Sequence, residues 1–155
     1  MEKSRTINAF VVLGTILNEL GENKAYSSTV SSLTEDDYTE VNEVITREFH
    51  YNGWFTEESI RQALGEISAW LTLEKLTDWT NNYAPNDKTK HIAVIMAGNI
   101  PLVGFHDFLC VLLSGHQVIC KQSSEDARLL PALVKLLVLF EPALNERIRF
   151  SERKL

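Results

Sequence analysis

Cysteine is scarce: only Cys110 and Cys120 occur in 155 residues. Two cannot build a disulfide framework, and no C-x-x-C pair points to zinc or thiol redox work. Basic clusters are missing as well. Lys and Arg number 15 against 21 Asp and Glu, for a net charge of −6. No stretch gathers enough cations to follow a phosphate backbone, which argues against nucleic acid as the main partner. No apolar run reaches the ~18 residues that cross a bilayer, so no membrane span is expected. Met1 to Arg5 leads into no apolar core with a small-residue cleavage site, so no secretory signal is expected either. The expected location is the cytoplasm, with reduced thiols. What remains is the composition of a soluble globular protein, 45% hydrophobic and 23% charged, at the length of one domain or a large piece of a bigger one.

The chain divides at a polar turn, Tyr83 to Lys90, into residues 1–90 and 91–155. Helical spacing rules the first part. Ile7, Phe10, Val11, Leu13, Ile16, Leu17 and Leu20 predict a helix from about Arg5 to Leu20, stopped by Gly21. Ala25 to Asp37 follows neither period and reads as a loop. Tyr38, Val41, Val44, Ile45 and Phe49 predict a second helix over Asp37 to Phe49, broken by Asn52-Gly53. Thr56 then caps a third helix, with Glu57 and Glu58 suited to its positive end and Ile60, Ala63, Leu64, Ile67 and Trp70 facing a core. Leu73 to Tyr83 makes a short fourth.

From His91 the pattern changes to strand and helix in alternation. His91 to Ala97 is apolar and partly β-branched, as expected of a strand buried on both faces. Gly98-Asn99-Ile100-Pro101 is a turn, and a helix is expected from Leu102 to Leu113, closed by Ser114-Gly115. Gln117 to Lys121 is a second strand. Ser123 to Asp126 reads as a cap for a helix from about Ala127 to Phe140, and Ile148-Arg149-Phe150 starts a third strand. The predicted class is α/β: a helical N-terminal segment, then the first βαβα units of a parallel sheet. Two or three strands do not normally close such a core. The segment Leu129 to Phe140 is apolar almost all round and needs burial on several sides. The chain is therefore expected to be the front part of a longer protein, or to complete itself with a partner, either a second copy or the remainder of the same polypeptide.

Ligands of open α/β sheets bind beyond the carboxyl ends of the strands. Here those ends carry Gly98-Asn99-Ile100-Pro101 and Lys121-Gln122-Ser123-Ser124. A glycine, a carboxamide, a cation and two hydroxyls suit a ribose, a phosphate or a nucleotide. Neither G-x-G-x-x-G nor a P-loop follows either strand, and by spacing alone these residues also read as ordinary turn and cap residues.

The run Ile95 to Asp107, followed by Leu113-Ser114-Gly115-His116 and Lys121-Gln122-Ser123-Ser124, resembles the acyl-CoA reductases related to the LuxC fatty-acid reductase of bacterial luminescence, which look like a branch of the aldehyde dehydrogenase superfamily. The superfamily pattern is a strand ending in a Pro-x-Asn-x-Pro turn, a helix, a Gly turn, and a strand ending in Lys-Pro-Ser-Glu. This chain keeps Asn99-Ile100-Pro101, Gly115 and Lys121-Gln122-Ser123 in that order. Asn52-Gly53-Trp54-Phe55-Thr56 and Trp79 are similar to the helical lead-in of these reductases. The likeness is dense over residues 91–131 and looser over 50–90.

The resemblance implies NADPH-dependent reduction of a long-chain acyl-CoA to a fatty aldehyde through a cysteine thioester. It implies that Asn99 donates to the oxyanion formed when the thiolate attacks the thioester. Lys121 would hold the adenosine ribose and a 2′-phosphate, helped by Ser123 and Ser124, with Met96, Gly98 and Asn99 lining the same groove. Where the superfamily often has a Glu that binds both ribose hydroxyls of NAD, this chain offers Ser124 or, one position later, Glu125. The neutral serine favours NADPH, and Glu125 in that place would weaken the preference. The family's nucleophilic cysteine lies well downstream of the Lys-x-Ser strand, and the chain ends before any such position. Cys110 and Cys120 read as small core residues, so the chain is expected to be catalytically incomplete.

Weaker constellations remain. His106 and Cys110 lie four apart, but no second pair completes a zinc site and no metal is expected. Trp54, Trp70 and Trp79 could line an acyl channel, although helix packing is the simpler reading. Glu57 and Glu58 read as a solvated acidic pair. The alternative to the enzyme is a non-catalytic α/β nucleotide-binding or interaction domain that docks through a bare Leu129–Phe140 helix.

Overall fold

The computed structural model describes residues 2–152. Among the described residues six α-helices and three strands follow in order: α1 Glu2–Gly21, α2 Glu35–Arg47, α3 Glu57–Trp70, α4 Leu73–Asn81, β1 His91–Ile95, α5 Phe105–Leu113, β2 Gln117–Lys121, α6 Leu129–Phe140 and β3 Ile148–Phe150. Short 3-10 turns, Glu48–His50 and Pro142–Arg147, lie after α2 and before β3. The strands are parallel in the order β1-β2-β3. Ile95 stands beside Lys121 and Cys120 beside Phe150, so the carboxyl ends of all three strands face one way.

Both crossovers step in the same direction, and right-handed connections therefore put α5 and α6 on one face of the sheet. Val94, Val118, Cys120 and Ile148 point into that face and are buried. α1 lies across α5 and α6 and also packs on α3 and α4. Its Phe10 meets Phe105 and Phe108 edge-on at 6.3 and 6.2 Å, so the helical layer and the sheet layer share one core. Gly14 allows the closest approach: a Cβ there would stand 2.7 Å from the Cβ of Leu71 and 2.8 Å from its carbonyl oxygen.

The opposite face of the sheet is bare among the described residues. Ala93 and Arg149 are exposed, and Ile95 is 78% exposed. This corrects the expectation that β1 is buried on both faces. Its apolar side chains are covered on one side only, and β1 is an edge strand of the three.

Four helix starts also move, α1 beginning at Glu2, three residues before Arg5. α2 begins at Glu35 rather than Asp37 because Thr34 and Asp37 form a reciprocal capping box, in which the Thr34 hydroxyl accepts from the Asp37 amide and the Asp37 carboxylate accepts from the Thr34 amide. Its regular turns end at Arg47, which leaves Phe49 on the 3-10 turn and exposed. α5 begins at Phe105, three residues late, because Leu102 takes the left-handed conformation at φ 59° and holds the chain in a turn. α6 begins at Leu129 with no side-chain cap. Ser123 instead accepts from the Glu125 amide, and Asp126 turns toward Leu102. Thr56 caps α3 as expected, accepting from the Ser59 amide.

α6 is covered within the chain. α1, α2 and the Pro142–Arg147 turn pack around it, burying Leu129, Leu130, Leu133, Leu136 and Leu137. A docking surface made of a bare α6 is thereby removed. Glu58 is exposed as expected, but Glu57 is not merely solvated. Glu57 accepts from Nε and Nη2 of the buried Arg61, whose Nη1 donates to the Leu20 carbonyl at 2.6 Å and closes the end of α1. No helix among the described residues is long and apolar enough to cross a membrane.

Candidate active site

β1 and β2 end side by side, and the turns that leave them touch. The Met96 amide donates to the Lys121 carbonyl at 2.9 Å, extending the ladder by one residue. Gly98 then lies directly on the second turn. A Cβ at Gly98 would fall 2.4 Å from Ser123 Oγ and 2.9 Å from Glu125 Cβ, which only glycine avoids. Met96 folds under the start of α5, with its side chain packed on Gly104, where an added Cβ would meet Met96 Cγ at 2.5 Å.

Of the residues expected in the site, Asn99 is exposed at the rim and its carboxamide has no hydrogen-bond partner among the described residues. Lys121 is half-buried at the end of β2, and its ammonium has no ion-pair partner among the described residues. Ser123 is half-buried against Gly98, and Ser124 and Glu125 are exposed on the same turn. A free amide, a free cation and hydroxyls thus share one open rim at the carboxyl ends of two neighbouring strands, a donor set that fits the ribose and phosphates of a nucleotide. The rim is not an enclosed cavity. A cavity of about 480 Å³, lined by Thr6, Trp79, Tyr83, His116 and Arg147, lies at the other end of the strands.

Four residues that sequence reasoning passed over hold the rim in place. Asp126 is 8% exposed and its Oδ2 accepts from the Leu102 amide at 2.9 Å, which ties the turn after β1 to the turn after β2. Asn52 donates to the Glu125 carbonyl at 3.0 Å and accepts from the Trp54 amide, which straps the 52–54 loop to the second turn. Glu48, only 1% exposed, takes Nε and Nη2 of Arg128 at 3.0 and 3.1 Å. The Arg128 guanidinium also lies 3.5 Å over the Tyr51 ring. A buried acid three to seven residues after a sheet-end lysine is a weak sequence signal, because the same letters also serve as helix caps.

Burial pushes the Asp126 carboxyl up to about 6, opposed by the Leu102 amide and the Arg128 guanidinium and reinforced by Glu48. A carboxyl that binds its proton more tightly folded than unfolded stabilises the fold below its unfolded value near 4, and that stability is lost as pH rises through 6. Asp126→Asn removes the ionisation and keeps an acceptor for Leu102. Relative to wild type, the variant should therefore gain about 2 kcal/mol more at pH 8 than at pH 4, read by urea unfolding at both pH values. An equal difference at the two pH values would show that folding leaves the Asp126 carboxyl unshifted.

Neither cysteine has the character of a nucleophile. Cys120 is fully buried in β2, and burial pushes its thiol up to about 12. Cys110 is also raised, by burial and then by Asp107. His106 lies 3.7 Å from Cys110 Sγ and edge-on to Trp70, and no group of three or more His, Cys, Asp or Glu side chains among the described residues could hold a metal. The three tryptophans do not line one channel. Trp70 and Trp79 flank a groove beside His106, whereas Trp54 is 89% exposed on the loop tied to Glu125.

No curated protein and no solved structure matches this chain. The family model described as acyl-CoA reductase (LuxC) matches residues 14–149, from the middle of α1 through β3, and so takes in both turns of the rim. The chain belongs to the LuxC family of acyl-CoA reductases.

Proposed function

We propose that residues 96–99 and 121–124 form part of an NADPH site and supply an oxyanion donor for reduction of a long-chain acyl-CoA to a fatty aldehyde. The observation that carries this reading is the contact of the two strand-end turns through Gly98 and Ser123, with an unpaired carboxamide and an unpaired ammonium on either side. Family membership supports the reaction class. Lys121 binds the 2′-phosphate and ribose of the cofactor, Ser123 and Ser124 donate hydroxyls beside it, and the backbone of Met96 and Gly98 lines the groove. When bound, NADPH supplies the hydride.

The nucleophilic cysteine comes from a part of the polypeptide outside residues 1–155, since burial keeps Cys120 and Cys110 protonated. That further part also covers the bare sheet face at Ala93 and Ile95, which a parallel sheet normally buries. The incoming thiolate adds to the thioester carbonyl, the electron pair of the C=O moves to oxygen, and Asn99 Nδ2–H stabilises that oxyanion. Collapse of the adduct expels CoA as its thiolate and leaves the acyl group on the cysteine. Cytoplasmic location belongs to the same reading.

The test is NADPH oxidation on addition of an acyl-CoA, in the polypeptide that carries these residues together with the nucleophile. Lys121→Ala should raise KM for NADPH about tenfold or more and KM for NADH much less, because a charge-assisted contact to phosphate contributes roughly 1.5–3 kcal/mol. Equal KM shifts for the two cofactors would remove Lys121 from the 2′-phosphate. No oxidation of either cofactor by the wild type would remove the function.

A further inference from the structure

We infer that Asp126 is a positioning residue for the cofactor rim, locking the turn that carries Gly98 and Asn99 onto the turn that carries Lys121 and Ser123; the inference rests on the cofactor reading above. Three observations meet at this carboxylate. First, Leu102 has φ 59°, a left-handed conformation that is strained for a non-glycine residue and persists only where its surroundings hold it. Second, what holds it is the hydrogen bond from the Leu102 amide to Asp126 Oδ2, the one side-chain bond that runs directly between residues 98–104 and 122–128. Third, Asp126 is more than nine-tenths buried, and its other oxygen, Oδ1, has no partner among the described residues.

A buried acceptor with an idle oxygen is costly to keep. A fold that needed only a helix cap would place it at the start of α6, where no side-chain cap is found. Asp126 instead spends its hydrogen bond across to the first turn, between Leu102 on one side and the buried Glu48–Arg128 pair on the other. Without it, Leu102 relaxes toward ordinary backbone. The turn then swings, and Asn99 and the Gly98 backbone leave register with Lys121. Strain held at a rim by one carboxylate is a means of preorganising a binding site.

In the polypeptide that carries these residues together with the nucleophile, the experiment compares wild type, Asp126→Ala and Asp126→Asn by two readouts on the same samples: amide hydrogen exchange at Leu102, and NADPH affinity by titration. With Asp126→Ala, Leu102 exchange should speed at least tenfold and NADPH affinity fall five- to tenfold, while exchange at Val118 in the sheet stays slow. Asp126→Asn, which still offers an oxygen to the Leu102 amide, should restore both. If Asp126→Ala does not fold, Asp126→Glu serves in its place, because it keeps the charge and displaces the acceptor by one methylene; it should weaken NADPH binding more than Asp126→Asn. Wild-type binding that neither the Ala nor the Glu variant weakens overturns the positioning role alone. Absence of NADPH binding by the wild type overturns the cofactor reading and this inference with it, and Leu102 exchange then reports only on the fold.

Discussion

Arg128→Ala should cost the protein about 3 kcal/mol of stability, the low end of what breaking a buried ion pair costs. Glu48 is 1% exposed and both its oxygens are committed to Arg128, so the variant leaves a carboxylate in the core with nothing opposite it. Arg128 is itself about one-third exposed, which permits some water to reach the vacated site and keeps the figure from rising toward 5 kcal/mol. For a chain of this size the melting midpoint should fall by roughly 6–12 °C. Glu48→Gln with Arg128→Ala should recover part of the loss, because the double variant no longer buries a lone charge. A single Arg128→Ala loss under about 1 kcal/mol would mean that the pair is solvated. The same substitution should loosen the 122–126 turn, since the pair anchors α2's 3-10 extension to the start of α6.

Asn99→Ala separates function from stability in the opposite sense. The side chain is exposed and bonds to nothing among the described residues, so unfolding should change by no more than about 0.5 kcal/mol. If Asn99 donates to the oxyanion, kcat in the polypeptide carrying the nucleophile should fall by about 10²–10³, or 2.7–4 kcal/mol of transition-state stabilisation. KM for NADPH should change far less. Asn99→Asp, nearly the same size, should be at least as damaging because it replaces a donor with an acceptor of the wrong charge. Full activity in Asn99→Ala would remove the residue from the chemistry and leave it as a turn residue.

The elements that local pattern specifies were legible in the sequence. The three strands, the Thr56 cap and the amphipathic face of α1 follow from periodicity and capping chemistry, which act within a few residues. Adjacency of the turns after β1 and β2 was also legible, because consecutive parallel strands joined by one helix pair as neighbours roughly two-thirds of the time. What was not legible depends on residues far apart in the chain. Leu102 is left-handed with its amide donating to Asp126, 24 residues on, and no local rule forbids a helix starting at Leu102. Ser123-Ser124-Glu125-Asp126 looks like a cap and instead serves its own turn and the opposite one. Likewise β1 has the composition of a fully covered strand while one of its faces is open, since composition records what a strand tolerates and not what lies over it. Glu57 looked solvated until Arg61, one helical turn away, was found buried against the end of α1.

The decisive measurement is a two-dimensional amide spectrum of the polypeptide that carries these residues together with the nucleophile, titrated with NADPH. One groove shared by two strand ends predicts that the amides of Gly98 and Asn99 and those of Lys121, Ser123 and Ser124 shift together, with a single dissociation constant, and that NADH moves the Lys121 group less. Shifts confined to one turn, or gathered instead around Trp79, His116 and Arg147 at the far end of the strands, would contradict it.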